Sequence, residues 1–390
     1  MWFFNSPEIV YGDDALSYLD ELPGRRAFIV TDAVLHKLGF TDLIAEHLRI
    51  AGMDIGVFPE VEPDPSLETV ARGAAAMSEF APDWIVGLGG GSAMDAAKAM
   101  WVLYERPDIK PEEIEGIALL GRMGLGAKAR LVAIPTTAGT GAEATWQFVL
   151  ADKVAGRKAS TGTRENMPTL AIVDPALTAG LPPSITADTG IDVLTHAVEG
   201  YISAWHNDFT DGPCLKAIEI VFAYLPRAVA DGSDVEARTK MAIAATLGGL
   251  AWGNSWVGVA HAMGHAFNAV FHHPHGRCVG TFLPYTTEFA ARGGGTRYRD
   301  IAALLQLPAT DEVSAGEALA EATRELLIRI GQPTTVAEMG IAETEHEAAL
   351  ERLCDLGEND LAMPPAVRVP SHEEMLALYR YAYAGRRVDF

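Results

Sequence analysis

Residues 261–276 read His261-Ala-Met-Gly-His265-Ala-Phe-Asn-Ala-Val-Phe-His272-His273-Pro-His275-Gly276, and they hold five of the eleven histidines of the chain. Imidazole is the commonest protein ligand for a catalytic divalent metal. His261 and His265 are four residues apart, so on a helix they share one face. Pro274 is expected to end that helix, and Gly276 to let the backbone turn sharply. A helix followed by a sharp loop would aim several rings at one point, which predicts a shared site.

A second pair of potential ligands, Asp192 and His196, has the same spacing in Thr189-Gly-Ile-Asp-Val-Leu-Thr-His-Ala-Val-Glu199. Because the residues around this pair are apolar, we expect a buried helix, in which a carboxylate or an imidazole needs a partner. A divalent metal would be a partner for both. His272 and His273 are also compatible with ordinary surface or core positions. The predicted metal ligands are Asp192, His196, His261 and His275, with no thiolate among them.

The composition is that of an ordinary globular protein, with 49% hydrophobic and 21% charged residues in a chain of 390. This length is enough for two or three domains. A net charge of -22 argues against nucleic acid and anionic membranes as partners, since both bind basic surfaces. The three cysteines predict neither a disulfide framework nor a thiolate metal site, which fits a reducing compartment. With no recognisable signal peptide and no apolar run long enough to span a membrane, a cytoplasmic protein is expected.

Short apolar runs alternate with helical patterns in the first half of the chain. The predicted strands are residues 27–30, 54–58, 84–88, 129–134 and 170–173. Helical patterns lie between them, one around residues 41–51 and another that starts at a cap on Ser66 and ends near residue 80. Strands separated by helices imply a parallel sheet with helices on both faces. Ligands bind such sheets beyond the carboxyl ends of the strands.

The pattern changes near residue 181, where Leu-Pro-Pro-Ser184 is a break and Ser184 is expected to cap a helix. Long helical patterns follow at 184–204, 211–230, 234–254 and 257–271, and strand-like runs nearly vanish. We therefore predict the α/β class. An N-terminal parallel-sheet dinucleotide-binding domain at residues 1–180 is expected to be followed by an all-helical metal-binding domain at residues 181–390.

Two polar loops follow predicted strands. Strand 84–88 runs into Gly89-Gly-Gly-Ser92, where the missing side chains would let backbone N–H groups approach a diphosphate at the start of a helix. Strand 129–134 runs into residues 135–145, whose threonines and glycines also suit a nucleotide. A packing turn and a polar turn are the simpler alternatives, and the first loop departs from G-x-G-x-x-G. Together with the histidine cluster downstream, the two loops predict a nucleotide cofactor.

These residues resemble the iron-containing (group III) alcohol dehydrogenases over nearly the whole chain. The resemblance rests on residues 7–12, 89–98, 135–143, 171–175, 189–199 and 261–276. It implies that the predicted ligand set holds Fe(II) or Zn(II), and that His265 is a non-ligand histidine near the nicotinamide that transfers protons. It implies cofactor contacts from Gly89, Gly90, Gly91, Ser92 and Asp95, from Thr136, Thr137, Thr140 and Thr145, and from Lys158 near the nicotinamide ribose. It also implies a homo-oligomer, namely a dimer.

The implied activity is the NAD(H)-linked oxidation of a small alcohol or the reduction of an aldehyde. The metal would act as a Lewis acid on the alcohol oxygen, and affinity order alone does not favour iron over zinc. Three alternatives stay open: a polyol or glycerol-phosphate dehydrogenase, a lyase like dehydroquinate synthase, and a non-catalytic metal-binding protein. The lyase needs several basic residues, and the helical segments 184–204 and 257–276 have only Arg277 nearby.

The C-terminal region departs from the family pattern. Relatives often carry Cys-Thr-x-x-Asn-Pro-Arg where this chain reads Asn359-Asp-Leu-Ala-Met-Pro-Pro365. Since that segment helps to close the substrate pocket in the family, substrate identity is not carried over. Gln147, Trp256 and Phe271 are candidate pocket residues that are equally compatible with the core.

Asp32 is the residue expected to select the dinucleotide. It follows the strand 27–31, where its carboxylate could accept hydrogen bonds from the adenosine ribose and would repel a 2′-phosphate. Arg25 and Arg26 lie at the opposite end of that strand, so they are poorly placed to compensate. We therefore predict a preference for NAD(H) over NADP(H). The alternative is that Asp32 only caps a helix.

Overall fold

The computed structural model describes residues 3–111, 113–114, 123–152 and 157–390, with backbone only for residues 152 and 157–160. The chain divides into two compact units, Met1–Ala179 and Gly180–Phe390. Across the described ranges, no helix is both long and apolar enough to cross a membrane. All three cysteines are buried and none of them forms a disulfide.

The first unit is organised around a parallel sheet. Its strands are β1 (Glu8–Tyr11), β2 (Arg26–Val30), β3 (Asp54–Phe58), β4 (Trp84–Gly89), β5 (Arg130–Pro135), β6 (Phe148–Asp152), β7 (Arg157–Thr161) and β8 (Leu170–Val173). Six strands form the sheet in the order β1-β8-β5-β4-β2-β3, and each neighbouring pair is parallel. The other two, β6 and β7, form an antiparallel hairpin.

Helices cover both faces of this sheet. They are α1 (Ala33–Lys37), α2 (Phe40–Ile50), α3 (Leu67–Phe80) and α4 (Gly91–Glu105). Central strand β4 is buried at every residue, as a strand covered on both faces must be. Its successive residues Ile85 and Val86 belong to different core clusters, one packed with α3 and α4 and the other with α2. The parallel sheet expected from the alternating pattern is therefore present.

The sequence pattern did not predict β1 or the β6–β7 hairpin. Strand β1 is four residues long and lies at the edge of the sheet, and its end residues Glu8 and Tyr11 are exposed. It therefore lacks the apolar run that marks a buried strand. The hairpin strands lie outside the parallel sheet, so the alternation of strands and helices that predicts the sheet does not include them.

The second unit is helical throughout its described secondary structure, apart from short 3-10 turns. Its helices are α5 (Pro183–Ile202), α6 (Asp208–Ala230), α7 (Val235–Ser255), α8 (Val259–Phe271), α9 (His275–Arg292), α10 (Tyr298–Leu304), α11 (Glu312–Arg329), α12 (Glu343–Glu358) and α13 (His372–Ala384). Helix α5 is buried over most of its length, which its apolar sequence favours. An α/β region followed by a helical region confirms the predicted fold class.

Glycines let α9 approach α5 and α8 closely. A Cβ atom on Gly276, in α9, would lie 1.9 Å from the carbonyl oxygen of Asp188 in α5. A Cβ atom on Gly264, in α8, would lie 2.5 Å from the side chain of Val279 in α9 and 3.0 Å from its backbone nitrogen. Neither position has room for a side chain, so these helices pack with their backbones close together.

Two local expectations are wrong. Helix α9 begins at His275, so Gly276 lies inside its first turn and does not turn the chain. The bend is made by His272, which follows α8 in the left-handed conformation with a φ of 57°. Ser184 does not cap its helix, because α5 already begins at Pro183 and has no side-chain cap. Pro274 does lie between α8 and α9, where a proline cannot continue the first helix.

We predict that Gly276→Ala lowers the free energy of unfolding by about 3 kcal/mol, because the new methyl group collides with a backbone carbonyl that cannot rotate away. The matched control is Gly212→Ala, also inside a helix, where an added Cβ meets no atom within 4 Å. That change should instead stabilise the protein by about 0.5–1 kcal/mol. Denaturant unfolding measures both, and equal unfolding midpoints for the two variants would contradict the close-packing explanation.

Candidate metal centre and cofactor loops

Three helices of the second unit bring the predicted metal ligands together. Asp192 and His196 lie on α5, His261 lies on α8, and His275 is the first residue of α9. One potential ligand atom from each side chain lies within 4.8 Å of those of the other three. Oδ1 of Asp192 is 3.4 Å from Nε2 of His275. The same oxygen is 3.7 Å from Nδ1 of His196 and 3.7 Å from Nε2 of His261.

The converging atoms fit a metal ion. Within the described part of the chain, Oδ1 of Asp192, Nδ1 of His196 and Nε2 of His261 are buried and have no hydrogen-bond partner. One such atom costs on the order of 1–3 kcal/mol, so three around one point require an explanation. A cation bound by all of them provides it. Ligand atoms about 2.1 Å from a tetrahedral ion lie roughly 3.4 Å apart, close to the separations found here.

The protonation states of three of these groups favour a cation. Burial opposes ionisation of Asp192, but the surrounding imidazoles outweigh it and hold the pKa of this carboxyl well below its usual value. Burial lowers the pKa of His196 to about 3, and it also lowers the pKa of His275. At neutral pH the carboxylate is therefore charged and these two imidazoles are neutral, the state in which such groups bind metals.

His261 differs because two carboxylates contact its ring. Burial works against its protonation, but Asp192 and Glu199 outweigh burial and raise the pKa of His261 to about 9. A cation held by Nε2 of His261 would take the place of the proton that this nitrogen otherwise binds.

Glu199 is a functional candidate to which the sequence pattern assigned no role. Its Oε2 is 2.5 Å from Nδ1 of His261, and its Oε1 accepts a hydrogen bond from the backbone of Ala260 at 2.6 Å. A carboxylate on one ring nitrogen holds the proton there and leaves the other nitrogen for a metal. The available signal was an acidic residue seven positions after Asp192, on the same face of an apolar helix.

His265 lies beside the four-residue group without belonging to it. Its ring stacks on His275 with centroids 5.2 Å apart and meets the ring of His261 edge-on at 5.8 Å. Its Nδ1 is 3.0 Å from Oδ2 of Asp360, and its side chain is 24% exposed. A carboxylate behind a partly exposed imidazole is an arrangement that can move a proton. Asp360 comes from the segment that departs from the family pattern, 95 positions away, so no local signal could have found it.

The two predicted cofactor loops touch each other in the first unit. The first passes from β4 through Gly89, with a φ of 147°, and Gly90 to the first residue of α4, Gly91. A Cβ atom on Gly90 would lie 3.5 Å from Oγ1 of Thr137, and one on Gly91 would lie 3.0 Å from Cγ2 of Thr140. These threonines therefore lie over the start of α4, where backbone N–H groups favour an anion.

The other predicted residues of the second loop are more enclosed. Thr136 is 4% exposed and Thr145 is 1% exposed. Oγ1 of Thr145 is 3.2 Å from the ammonium nitrogen of Lys98, so this hydroxyl is bonded within the protein. Its predicted contact with a cofactor stays a prediction.

Of the remaining cofactor candidates, Ser92 and Asp95 accept hydrogen bonds from the protein backbone, and the side chain of Lys158 is not described. Oγ of Ser92 accepts a hydrogen bond from the backbone of Asp64 at 3.2 Å. Oδ2 of Asp95 accepts one from the backbone of Val149 at 3.1 Å. Lys158 lies in β7, and its side chain is outside the part of the chain that the structure describes.

Asp32 has a cap role and faces the first loop as well. Its Oδ1 accepts hydrogen bonds from the backbone of Val34 at 2.8 Å and Leu35 at 2.9 Å, which caps α1. Its Oδ2 would lie 3.9 Å from a Cβ atom on Gly89. Asp32 therefore does cap helix α1, but the cap uses only one of its two carboxylate oxygens.

The sequence matches two family models. Residues 6–175 match the one described as iron-containing alcohol dehydrogenase. Residues 186–383 match the one described as Fe-containing alcohol dehydrogenase family, C-terminal. Together these matches cover both units.

Individual proteins align with nearly the whole chain. An NADPH-dependent butanol dehydrogenase of Clostridium saccharobutylicum is 36% identical over 98% of this chain and 98% of its own length. Aldehyde-alcohol dehydrogenase 2 of Entamoeba histolytica is 37% identical over 98% of this chain but only 46% of its own length, so the chain spans about half of that relative. A solved sulfoacetaldehyde reductase of Bifidobacterium kashiwanohense, in complex with NAD+, has 27% identity and a TM-score of 0.87, with 98% of each chain covered.

We predict that His261→Ala and His275→Ala each abolish metal retention, because each removes one of four converging ligand atoms. The matched control is His265→Ala, one helical turn from His261, which should keep its metal and turn over more slowly. Metal content after dialysis, measured by mass spectrometry, separates His265→Ala from the other two variants. Full metal occupancy in the first two would contradict the ligand assignment, and a metal-free His265→Ala would make His265 a ligand.

Proposed function

The chain belongs to the iron-containing alcohol dehydrogenase family, and we propose that it interconverts a small alcohol and the corresponding aldehyde, with NAD(H) as the hydride carrier. The observation that supports this proposal most directly is the convergence of three buried ligand atoms without hydrogen-bond partners, with Nε2 of His275 beside them. A cation bound by all of these atoms would satisfy them. The butanol dehydrogenase and reductase names of the relatives favour alcohols and aldehydes as substrates.

In the proposed reaction, a bound divalent metal supplies a Lewis acid that makes an alcohol hydroxyl more acidic, and the nicotinamide supplies the hydride acceptor. Asp192 neutralises part of the positive charge. Glu199 keeps the proton of His261 on Nδ1, so that Nε2 is available as a ligand. His265, held at Nδ1 by Asp360, accepts the proton that the alcohol loses and passes it to solvent from its exposed edge.

We propose Fe(II) as the metal because both matching family descriptions name iron. Three imidazoles and one carboxylate accept Zn(II) as well, so the donor set alone does not decide. The choice between NAD(H) and NADP(H) also has to be tested by experiment, since one relative is named as NADPH-dependent and a solved neighbour binds NAD+.

A specific contact counts against the lyase alternative. Arg277, the basic residue near the histidine cluster, donates two hydrogen bonds to Asp188, at 3.0 and 3.1 Å. Its guanidinium is therefore already paired with a carboxylate and is poorly available to a carboxylate or phosphate of a substrate.

A polyol or glycerol-phosphate dehydrogenase differs from the main proposal only in its substrate. A homodimer is expected from the family resemblance and a cytoplasmic location from the cysteine usage, and light scattering would check the dimer.

The proposal is tested by metal analysis and NADH-linked turnover on one anaerobically purified sample. We expect about one metal ion per chain. We also expect oxidation of NADH by short aldehydes, loss of turnover after chelation, and recovery on adding Fe(II) in preference to Zn(II). Glycerol and glycerol phosphate with NAD+ test the polyol alternative. Undiminished turnover by the metal-free protein would contradict the proposal, and metal without any turnover would favour the non-catalytic alternative.

We predict that wild-type protein prefers NADH and that Asp32→Ser lowers the NADH/NADPH ratio of kcat/KM by roughly tenfold or more, because the charge that repels a 2′-phosphate is lost. Serine is chosen because it still caps α1, so the comparison isolates the carboxylate. The control is Asp234→Ser, which changes the equivalent cap of α7 in the second unit and should leave the ratio unmoved. A wild-type preference for NADPH, or an unchanged ratio in Asp32→Ser, would show that Asp32 is only a cap.

A further inference from the structure

Lys98 is a completely buried lysine, with 0% of its surface exposed. It lies in α4, two turns after the Gly89–Ser92 loop. A buried ammonium is costly unless its protons are bonded and its charge is balanced. The groups that meet these two requirements indicate what Lys98 does.

All three protons of the Lys98 ammonium are directed at one short segment. The nitrogen is 2.8 Å from the carbonyl oxygen of Ala142, 2.9 Å from that of Gln147 and 3.2 Å from the hydroxyl of Thr145. An ammonium group has three N–H donors, so its hydrogen-bonding capacity is used completely. No donor is left over for a ligand.

The charge of Lys98 is balanced by two carboxylates. Burial lowers the pKa of Lys98 to about 8, while Asp95 and Glu143 act in the opposite direction and favour the charged form. Asp95 also accepts the backbone hydrogen bond of Val149. Helix α4 therefore holds the chain at residues 142 and 145, within the second cofactor loop, and at residues 147 and 149, directly after it.

The same helix carries the first cofactor loop at its start. Gly91 is the first residue of α4, and Thr140 packs against it closely enough that a Cβ atom on Gly91 would lie 3.0 Å from Cγ2 of Thr140. The two loops thus meet at one end of α4, and Lys98 ties the second loop to the same helix further along. Movement of residues 142–147 would separate the loops from each other.

We propose that Lys98 is a positioning residue for the dinucleotide, which fixes residues 140–147 against the Gly89–Ser92 loop so that both form one preformed site. The inference rests on the proposed function, because it takes the bound molecule to be NAD(H). Lys98 does not touch the cofactor, since its three protons are bonded within the protein. Thr145 contributes to cofactor binding by accepting one of these bonds. A site that has to order its loop on binding loses affinity.

The test is NADH binding to Lys98→Met, a substitution of similar length that removes the three donors and the charge. We expect the Kd for NADH, measured by fluorescence titration, to rise about tenfold, because binding must now order the loop. Metal content should match the wild type, and kcat at saturating NADH should fall less than about threefold, since the metal centre is not changed. Lys98→Arg, which keeps the charge and the N–H donors, should recover part of the affinity.

The matched control is Lys128→Met in the same unit. Lys128 donates its ammonium hydrogen bond to the carbonyl of Tyr104, near the end of α4 that is remote from both loops. Its loss removes an equal charge and should leave the Kd for NADH unchanged. An equal weakening by both substitutions would show a general effect of charge or stability and would overturn the proposal.

The outcomes separate the two levels of inference. Wild-type protein that binds neither NADH nor NADPH refutes the proposed function, and the role of Lys98 with it. A folded Lys98→Met protein with the wild-type Kd refutes the role of Lys98 alone. If Lys98→Met does not fold, Thr145→Val removes one acceptor and keeps the lysine, and it should raise the Kd about threefold. No change of Kd in that variant overturns the proposal.

Discussion

The close contact between the backbone of α9 and the carbonyl oxygen of Asp188, which glycine at position 276 permits, is the constraint on which the metal centre depends. His275 precedes this glycine, and Asp192 lies one helical turn after Asp188. The same contact therefore sets the distance between Nε2 of His275 and Oδ1 of Asp192. A second glycine, Gly264, likewise lets α8 approach α9 closely. The ligands converge because glycines at the contacts let the helices pack more closely than larger side chains would allow.

Each unit contains buried charged side chains that hold a loop or a cluster of side chains in position. In the second unit, Asp192 is buried among imidazoles, and Glu199 holds one of these rings in a single orientation. In the first unit, the buried ammonium of Lys98 donates hydrogen bonds to two backbone carbonyl groups of the second cofactor loop and the residues after it. Buried charges of this kind are costly when a partner is lost, so both arrangements limit how the surrounding backbone can move.

The sequence predicted what depends on local spacing. The four-residue spacing paired Asp192 with His196 and His261 with His265, and the structure brings Asp192, His196 and His261 together. The alternating pattern predicted the parallel sheet correctly. The sequence could not predict contacts between distant segments, such as the bond from Asp360 to His265 across 95 positions. It also misjudged Gly276, because a pattern shows that a glycine is present but not whether its flexibility or its small size is being used. Edge strand β1 was missed because its ends face solvent and its apolar signal is short.

The four candidate ligands are divided among α5, α8 and α9, so no single helix can hold an ion by itself. An ion that binds all four is bound by the folded unit and not by the unfolded chain. Its binding free energy then adds to the stability of the unit, by about 1.4 kcal/mol for each tenfold rise in free metal above the Kd. The resistance of the helical unit to heat and proteolysis therefore becomes a function of metal supply, and a cell short of metal would hold less of this protein as well as less active protein.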